Sequence, residues 1–105
     1  MKNLYELRDL LSQLDGSAYF IDFITTKGIQ AGIIRLHANE KDTQESHSVD
    51  EVYYVIEGSG FLKLKDKYYP IKQGTCIFVA AGIEHRFHGN TQDLIVFYAL
   101  GSETR

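Results

Sequence analysis

Hydrophobic and polar positions alternate through most of this chain with the period of two that marks half-buried β-strands. Strands are expected near Ala18–Thr25, Gln30–His37, Glu51–Ile56, Phe61–Lys65, Lys67–Pro70, Thr75–Val79, Glu84–His88 and Leu94–Leu100. Between them stand the turn signals "TKG", "GSG", "KDK", "KQG", "AAG" and "HGN". Pro70 sits where a strand can end, because proline has no N–H for the ladder. Short strands at this spacing predict an all-β, antiparallel sandwich or barrel. Only the first segment has another period. Leu4, Leu7, Leu11 and Leu14 recur at helical spacing, Asn3 can cap them, and Glu6 three residues later completes a capping box. A short N-terminal helix over residues 1–15, stopped by Gly16, is expected to pack on the edge of a sheet; a partner-binding helix is the alternative. With no linker or low-complexity stretch, residues 1–105 read as one domain, helix 1–15 and β-structure 16–105.

A chain of 105 residues buries only part of its surface, so its stability margin is modest and dimerisation would help. Val52, Tyr54 and Ile56 would face outward from a one-sided sheet, and a homodimer is the expected assembly. Hydrophobic residues make up 44% and charged residues 24%, which are globular proportions. A formal net charge of -3 argues against nucleic acid, whose binding needs clustered Lys and Arg. "MKNLYELRDLLSQL" has no apolar run of the signal-peptide kind, and no stretch approaches the ~18 apolar residues of a membrane helix. The single cysteine, Cys76, cannot form an internal disulfide and is expected to be a small buried hydrophobe. The expected location is a reducing one, the cytoplasm.

The longest connection, roughly Ala38 to Asp50, is polar, and loops of this length in small domains are often functional. It leads into "QESHSVDEVYYVIEGSG", which holds Glu45, His47 and Glu51 with one parity. Four residues of strand span about 13 Å. Groups on one ion at about 2.1 Å cannot be so far apart. His47 and Glu51 can therefore share an ion only if the chain bends at "SVD". A helix would also bring them together, but the β-branched and aromatic "EVYYVI" favours strand, bend and strand. Downstream, His85 and Phe87 share one strand face and His88 has the other. A lone strand histidine is ordinarily a packed or surface residue; His85 gains interest only beside the first cluster.

With these residues in view, the chain resembles the cupin superfamily, whose two motifs are written G-x5-H-x-H-x3,4-E-x6-G and G-x5-P-x-G-x2-H-x3-N. His47 precedes Glu51 by three intervening residues, and six residues separate Glu51 from Gly58. Gly74, Gly82 and His85 follow the second pattern. The departures are Glu45 where the first histidine would stand, Ala80 where the proline would, and the asparagine shifted to Asn90 with Gly89 in its place. The leading glycine of the first motif is also out of register.

The resemblance implies an antiparallel jelly-roll β-barrel and one divalent transition metal (Fe, Mn, Ni or Zn) on His47, Glu51 and His85. Glu45 is either a fourth ligand or a solvated acid. Two imidazoles and a carboxylate also resemble the set used by non-haem iron. The expected function is that of a metal-binding cupin acting on a small organic substrate, as a dioxygenase-type oxidoreductase. The alternatives are a non-catalytic small-molecule-binding cupin and a metal-dependent isomerase or lyase. Tyr53, with the parity of Glu51, is placed inside near the metal as a candidate catalytic proton donor, with packing as the alternative. Phe87 would be an apolar wall. The parity of Arg35 and His37 is open: outward, the preferred reading, they are surface groups; inward, Arg35 would hold a substrate carboxylate.

Overall fold

The protein is described by a computed structural model covering residues 2–14 and 18–102. One helix, α1 (Leu7–Ser12), precedes eight strands. These are β1 (Phe20–Thr25), β2 (Ile29–Leu36), β3 (Glu51–Glu57), β4 (Ser59–Leu64), β5 (Lys67–Lys72), β6 (Cys76–Val79), β7 (His85–His88) and β8 (Leu94–Gly101). All pairings are antiparallel. The strands form two sheets, of order β1-β2-β8-β3-β6 and β5-β4-β7. Every expected strand is present, in the all-β jelly-roll arrangement.

The two sheets share one core. Ile34 and Leu36 of β2, Tyr53 and Val55 of β3, Val79 of β6, and Val96 and Tyr98 of β8 meet Leu62 of β4, Ile71 of β5 and Phe87 of β7. The alternation read from the sequence is what makes this possible, because residues two apart line the same face. The outer face of the five-stranded sheet is covered in part by α1. Leu10 packs there on Ile33 and Ile95, joined by Tyr5, Leu7, Leu11, Phe23 and Ile56.

Four expectations need correction. The helix does not begin after Asn3. Residues before Leu7 are not helical, and Glu6 sits at the N-cap in extended backbone without a side-chain cap bond. Tyr5 packs instead against the Phe23 ring, 4.8 Å between centroids, and Leu4 is exposed. Tertiary packing thus overrides the capping-box signal. The expected stop at Gly16 lies outside the described residues. Pro70 does not end its strand, for β5 continues to Lys72; β5 is an edge strand, where a missing N–H breaks no ladder. Cys76 is exposed, because it has the outward parity of its cross-strand partner Tyr54 on the edge strand β6. Val52 and Tyr54 are exposed, but Ile56 is half-buried beneath α1. Among the described residues no helix is long and apolar enough to cross a membrane.

Candidate functional site

The candidate residues come together at one end of the core. The connection from β2 to β3 bends at Ser48 and Val49, immediately before β3. Two hydrogen bonds stitch this bend to the turn between β6 and β7. Gly82 N–H donates to the His47 carbonyl at 2.7 Å, and Ala81 N–H donates to Asp50 Oδ1 at 2.9 Å. The loop carrying His47 is thereby held against the turn that leads into His85.

The result is a convergence on Glu51, the first residue of β3. Its Oε1 lies 3.3 Å from His85 Nε2 and 3.8 Å from His47 Nε2. The two imidazole centroids are 6.2 Å apart. Glu51 and His85 are buried, while His47 is half-buried on its loop. His85 Nδ1 is 2.9 Å from the Ile83 carbonyl, which can only accept, so Nδ1 carries a proton. In the neutral ring Nε2 then presents a lone pair toward Glu51 and Tyr53. Glu51 Oε1 is a buried oxygen with no hydrogen-bond partner. Burial acts to lower the His85 pKa, but contact with Glu51, the Ile83 carbonyl and the nearby carboxylates outweigh it, and the pKa is raised.

Tyr53 is inside, with its hydroxyl 2.9 Å from His85 Nε2 and 3.0 Å from Gln44 Oε1. Burial first, and the Glu51 charge second, push its pKa far above the ordinary tyrosine range. It therefore keeps its proton and acts as a donor, with two acceptors to choose between. Phe87 packs edge-on against the Tyr53 ring at 4.9 Å.

Sequence reasoning did not single out Asp42, which is buried in the loop and organises this side of the site. Its Oδ1 accepts from Tyr19 O–H and Gln44 N–H, both at 3.1 Å. Its Oδ2 accepts from Gln44 Nε2 at 2.7 Å and Phe87 N–H at 2.8 Å. Asp42 thus fixes Gln44, and Gln44 faces Tyr53. No local pattern marks an aspartate in a polar loop as buried; only the fold reveals it. Asp22 and Tyr98 were missed for the same reason. Tyr98 O–H donates to Asp22 Oδ1, and Gln30 Nε2 donates to Asp22 Oδ2 at 3.0 Å.

A cavity of about 520 Å³ is bounded by Tyr19, Asp22, Gln30, Gln44, Glu45, His47, Glu51 and Tyr98, with His85, Tyr53 and Asp42 behind its wall. Glu45 is exposed on its wall and, among the described residues, makes no ion pair with the two histidines of the site. Arg35 and His37 are not part of it. Arg35 Nη2 donates to the Leu14 carbonyl at 2.8 Å, at the end of the α1 segment. His37 Nδ1 is 3.0 Å from Asp93 Oδ1 in an exposed pair. Among the described residues no group of three or more His, Cys, Asp and Glu is close enough to stand as a formed metal site; His47 is the one that stands off.

Two sheets sharing a core, with a cavity lined by His47 and Glu51 at one end, define a cupin architecture. The Cupin domain family model matches residues 32–100, and the chain belongs to that family. An uncharacterised protein of Streptomyces coelicolor is 30% identical over 77 residues, which is 73% of each chain. The acireductone dioxygenase of Leishmania infantum is 29% identical over 86 residues, 77% of this chain but only 25% of that protein. A conserved protein with a double-stranded β-helix domain from Klebsiella pneumoniae superposes with a TM-score of 0.83 over 96% of this chain and 90% of its own, at 10% identity.

Proposed function

We propose that this cupin binds one divalent transition metal (Fe, Mn, Ni or Zn) through His47, Glu51 and His85, and acts with it on a small organic substrate as a dioxygenase-type oxidoreductase. The observation that carries the reading is Glu51 Oε1, a buried carboxylate oxygen with no hydrogen-bond donor, facing two imidazole nitrogens at 3.3 and 3.8 Å. Two ligands at about 2.1 Å from one ion stand roughly 3.0–3.4 Å apart. The Glu51–His85 separation already fits, and His47, on its loop, has a few tenths of an ångström to close. The residues therefore fit the ion. When bound, it supplies a Lewis acid and, for iron or manganese, a redox centre.

The chain's own groups have defined parts around it. The Ile83 carbonyl orients the His85 ring and keeps Nε2 as the coordinating nitrogen. With that lone pair engaged, the Tyr53 proton turns to Gln44 Oε1, which Asp42 holds in place. Tyr53 then serves as a fixed, protonated group behind His85 and Gln44, and of these two Gln44 lines the cavity. Phe87 and the surrounding core exclude water. At about 520 Å³ the cavity has room for a small substrate. Likeness to the acireductone dioxygenases supports oxygen chemistry, although the chain spans about a quarter of the length of those relatives.

A second reading, a cupin that binds a small molecule without turnover, is favoured by Glu45, which stands exposed where a further ligand is expected. One experiment separates the two. Untagged protein, stripped with EDTA, is titrated with Fe(II), Mn(II), Ni(II) and Zn(II), and oxygen uptake is then followed with an acireductone as the probe. One equivalent of metal is expected in the wild type and none in H85A or E51Q. Metal uptake without oxygen consumption supports the binding module; failure to take up any of the four ions removes the dioxygenase reading and leaves only a metal-free binding module.

A further inference from the structure

A second concavity, of about 430 Å³, opens where the outward side chains of β4, β5 and β7 meet the loop at 39–42. It lies on a face the proposed metal centre does not use. Lys41, Lys63 and Arg86 converge on it, in a chain whose formal net charge is -3. Lys63 and Arg86 are direct cross-strand partners, an arrangement that costs repulsion unless something negative sits between them. Among the described residues, no carboxylate is in ion-pair contact with any of the three cations.

Two acids do line the concavity, and both are engaged elsewhere. Among the described residues, the four hydrogen bonds to the Asp42 carboxylate come from Tyr19, Gln44 and Phe87. Glu40 Oε1 accepts from His37 N–H at 2.9 Å. Arg86 spends Nη1 on the Asp42 carbonyl, at 3.1 Å, which fixes its guanidinium and leaves its other nitrogens as donors. Beside the cations lie exposed rings. Tyr68 is 53% exposed, packs against the His88 ring at 4.9 Å, and has Lys63 Nζ 5.7 Å from its centroid. Phe61, 41% exposed, faces His88 across the strands.

Three cations around one hollow, none with a carboxylate partner among the described residues, and aromatic faces at its rim match a ligand that is anionic at one end and planar at the other. We propose that this concavity binds a small aromatic phosphate monoester, with the phosphate on Lys41, Lys63 and Arg86 and the ring against Tyr68.

Phenyl phosphate is the probe, added to metal-free protein in EDTA and followed by 15N NMR. Saturable shifts are expected on β4, β5, β7 and the loop at 39–42, with affinity at least tenfold above that of inorganic phosphate. Phenol, lacking the charge, should give no saturable shift. K41A/K63A should weaken phenyl phosphate at least tenfold, while R86K, which keeps the charge but not the fork, should weaken it less. Y68A should bring phenyl phosphate down to the affinity of inorganic phosphate. Absence of saturable shifts, shifts centred on Glu51 and His85, or unchanged affinity in K41A/K63A would each overturn the proposal. Since metal is absent throughout, the outcome is independent of whether the first site holds one.

Discussion

At Gly32 a missing side chain makes room for a contact two strands wide. Asp22, Gly32 and Tyr98 are register partners across β1, β2 and β8. A Cβ at position 32 would meet the Tyr98 ring and hydroxyl and the Ile21 carbonyl. With glycine there, Tyr98 lies across β2 and its hydroxyl reaches Asp22. G32A is therefore expected to cost about 1–3 kcal/mol, as overpacking of a filled core does. Urea unfolding, read as a lower midpoint with an unchanged slope, measures it. Tyr98 also gives a pH dependence whose sign can be worked out. Burial, then the hydrogen bond and charge of Asp22, raise its pKa well above the ordinary tyrosine value. A raised pKa contributes stability that is complete below the unfolded value, about 10, and is lost as pH rises beyond it. Wild-type stability should therefore fall more steeply above pH ~10 than that of Y98F, whose alkaline limb lacks this group. Equal alkaline slopes in the two proteins would show that Tyr98 ionises as freely in the folded chain as in the unfolded one.

The elements are held in order by a few corners. β3 belongs to the five-stranded sheet and β4 to the three-stranded one, so the chain changes sheet within a residue or two of Gly58. Gly58 has φ +92, and a Cβ there would collide with the Asp93 carbonyl. Left-handed backbone costs an L-residue about 1–2 kcal/mol, and a backbone clash adds to it, so G58A should lose about 3 kcal/mol or more. Gly74 shares the φ but has open space around its missing Cβ, and G74A should lose only the first part. Thermal melts of the two variants check the difference. The strands themselves were legible because burial alternates along them: β3 reads buried and exposed in turn through Val55, and β7 does so throughout. The start of α1 was not, since Tyr5 leaves the helical path for a tertiary contact with Phe23 that no window of sequence contains. The site divides in the same way. His47, Glu51 and His85 were legible because motif spacing reports on two hairpins that must lie side by side. Asp42 and Gln44 were not, because their partners Tyr19, Phe87 and Tyr53 are supplied by three different strands or their flanks.

For the molecule as a whole, the site is a liability that a cation would relieve. Glu51 is buried, 3% exposed, and among the described residues lining its cavity there is no lysine or arginine. In a chain of 105 residues the total margin of stability is on the order of 5–15 kcal/mol, so the cost of burying one carboxylate is a sizeable fraction of it. An ion that binds only the folded chain adds stability as RT ln(1 + [L]/Kd), about 2.7 kcal/mol at a hundredfold excess over Kd. For a domain of this size, each kcal/mol moves the melting temperature by about 4–8 °C. Saturating metal should therefore raise the melting temperature of the EDTA-stripped protein by roughly 10–20 °C, and EDTA should reverse the gain. H85A should show almost none of it. E51Q is the more informative variant. Removing the charge while keeping the shape should leave the metal-free protein at least as stable as the wild type, because the burial cost of a carboxylate disappears, and should abolish the response to metal. If E51Q instead melted well below the metal-free wild type, Glu51 would be a structural partner of His85 rather than an acid held in readiness for an ion.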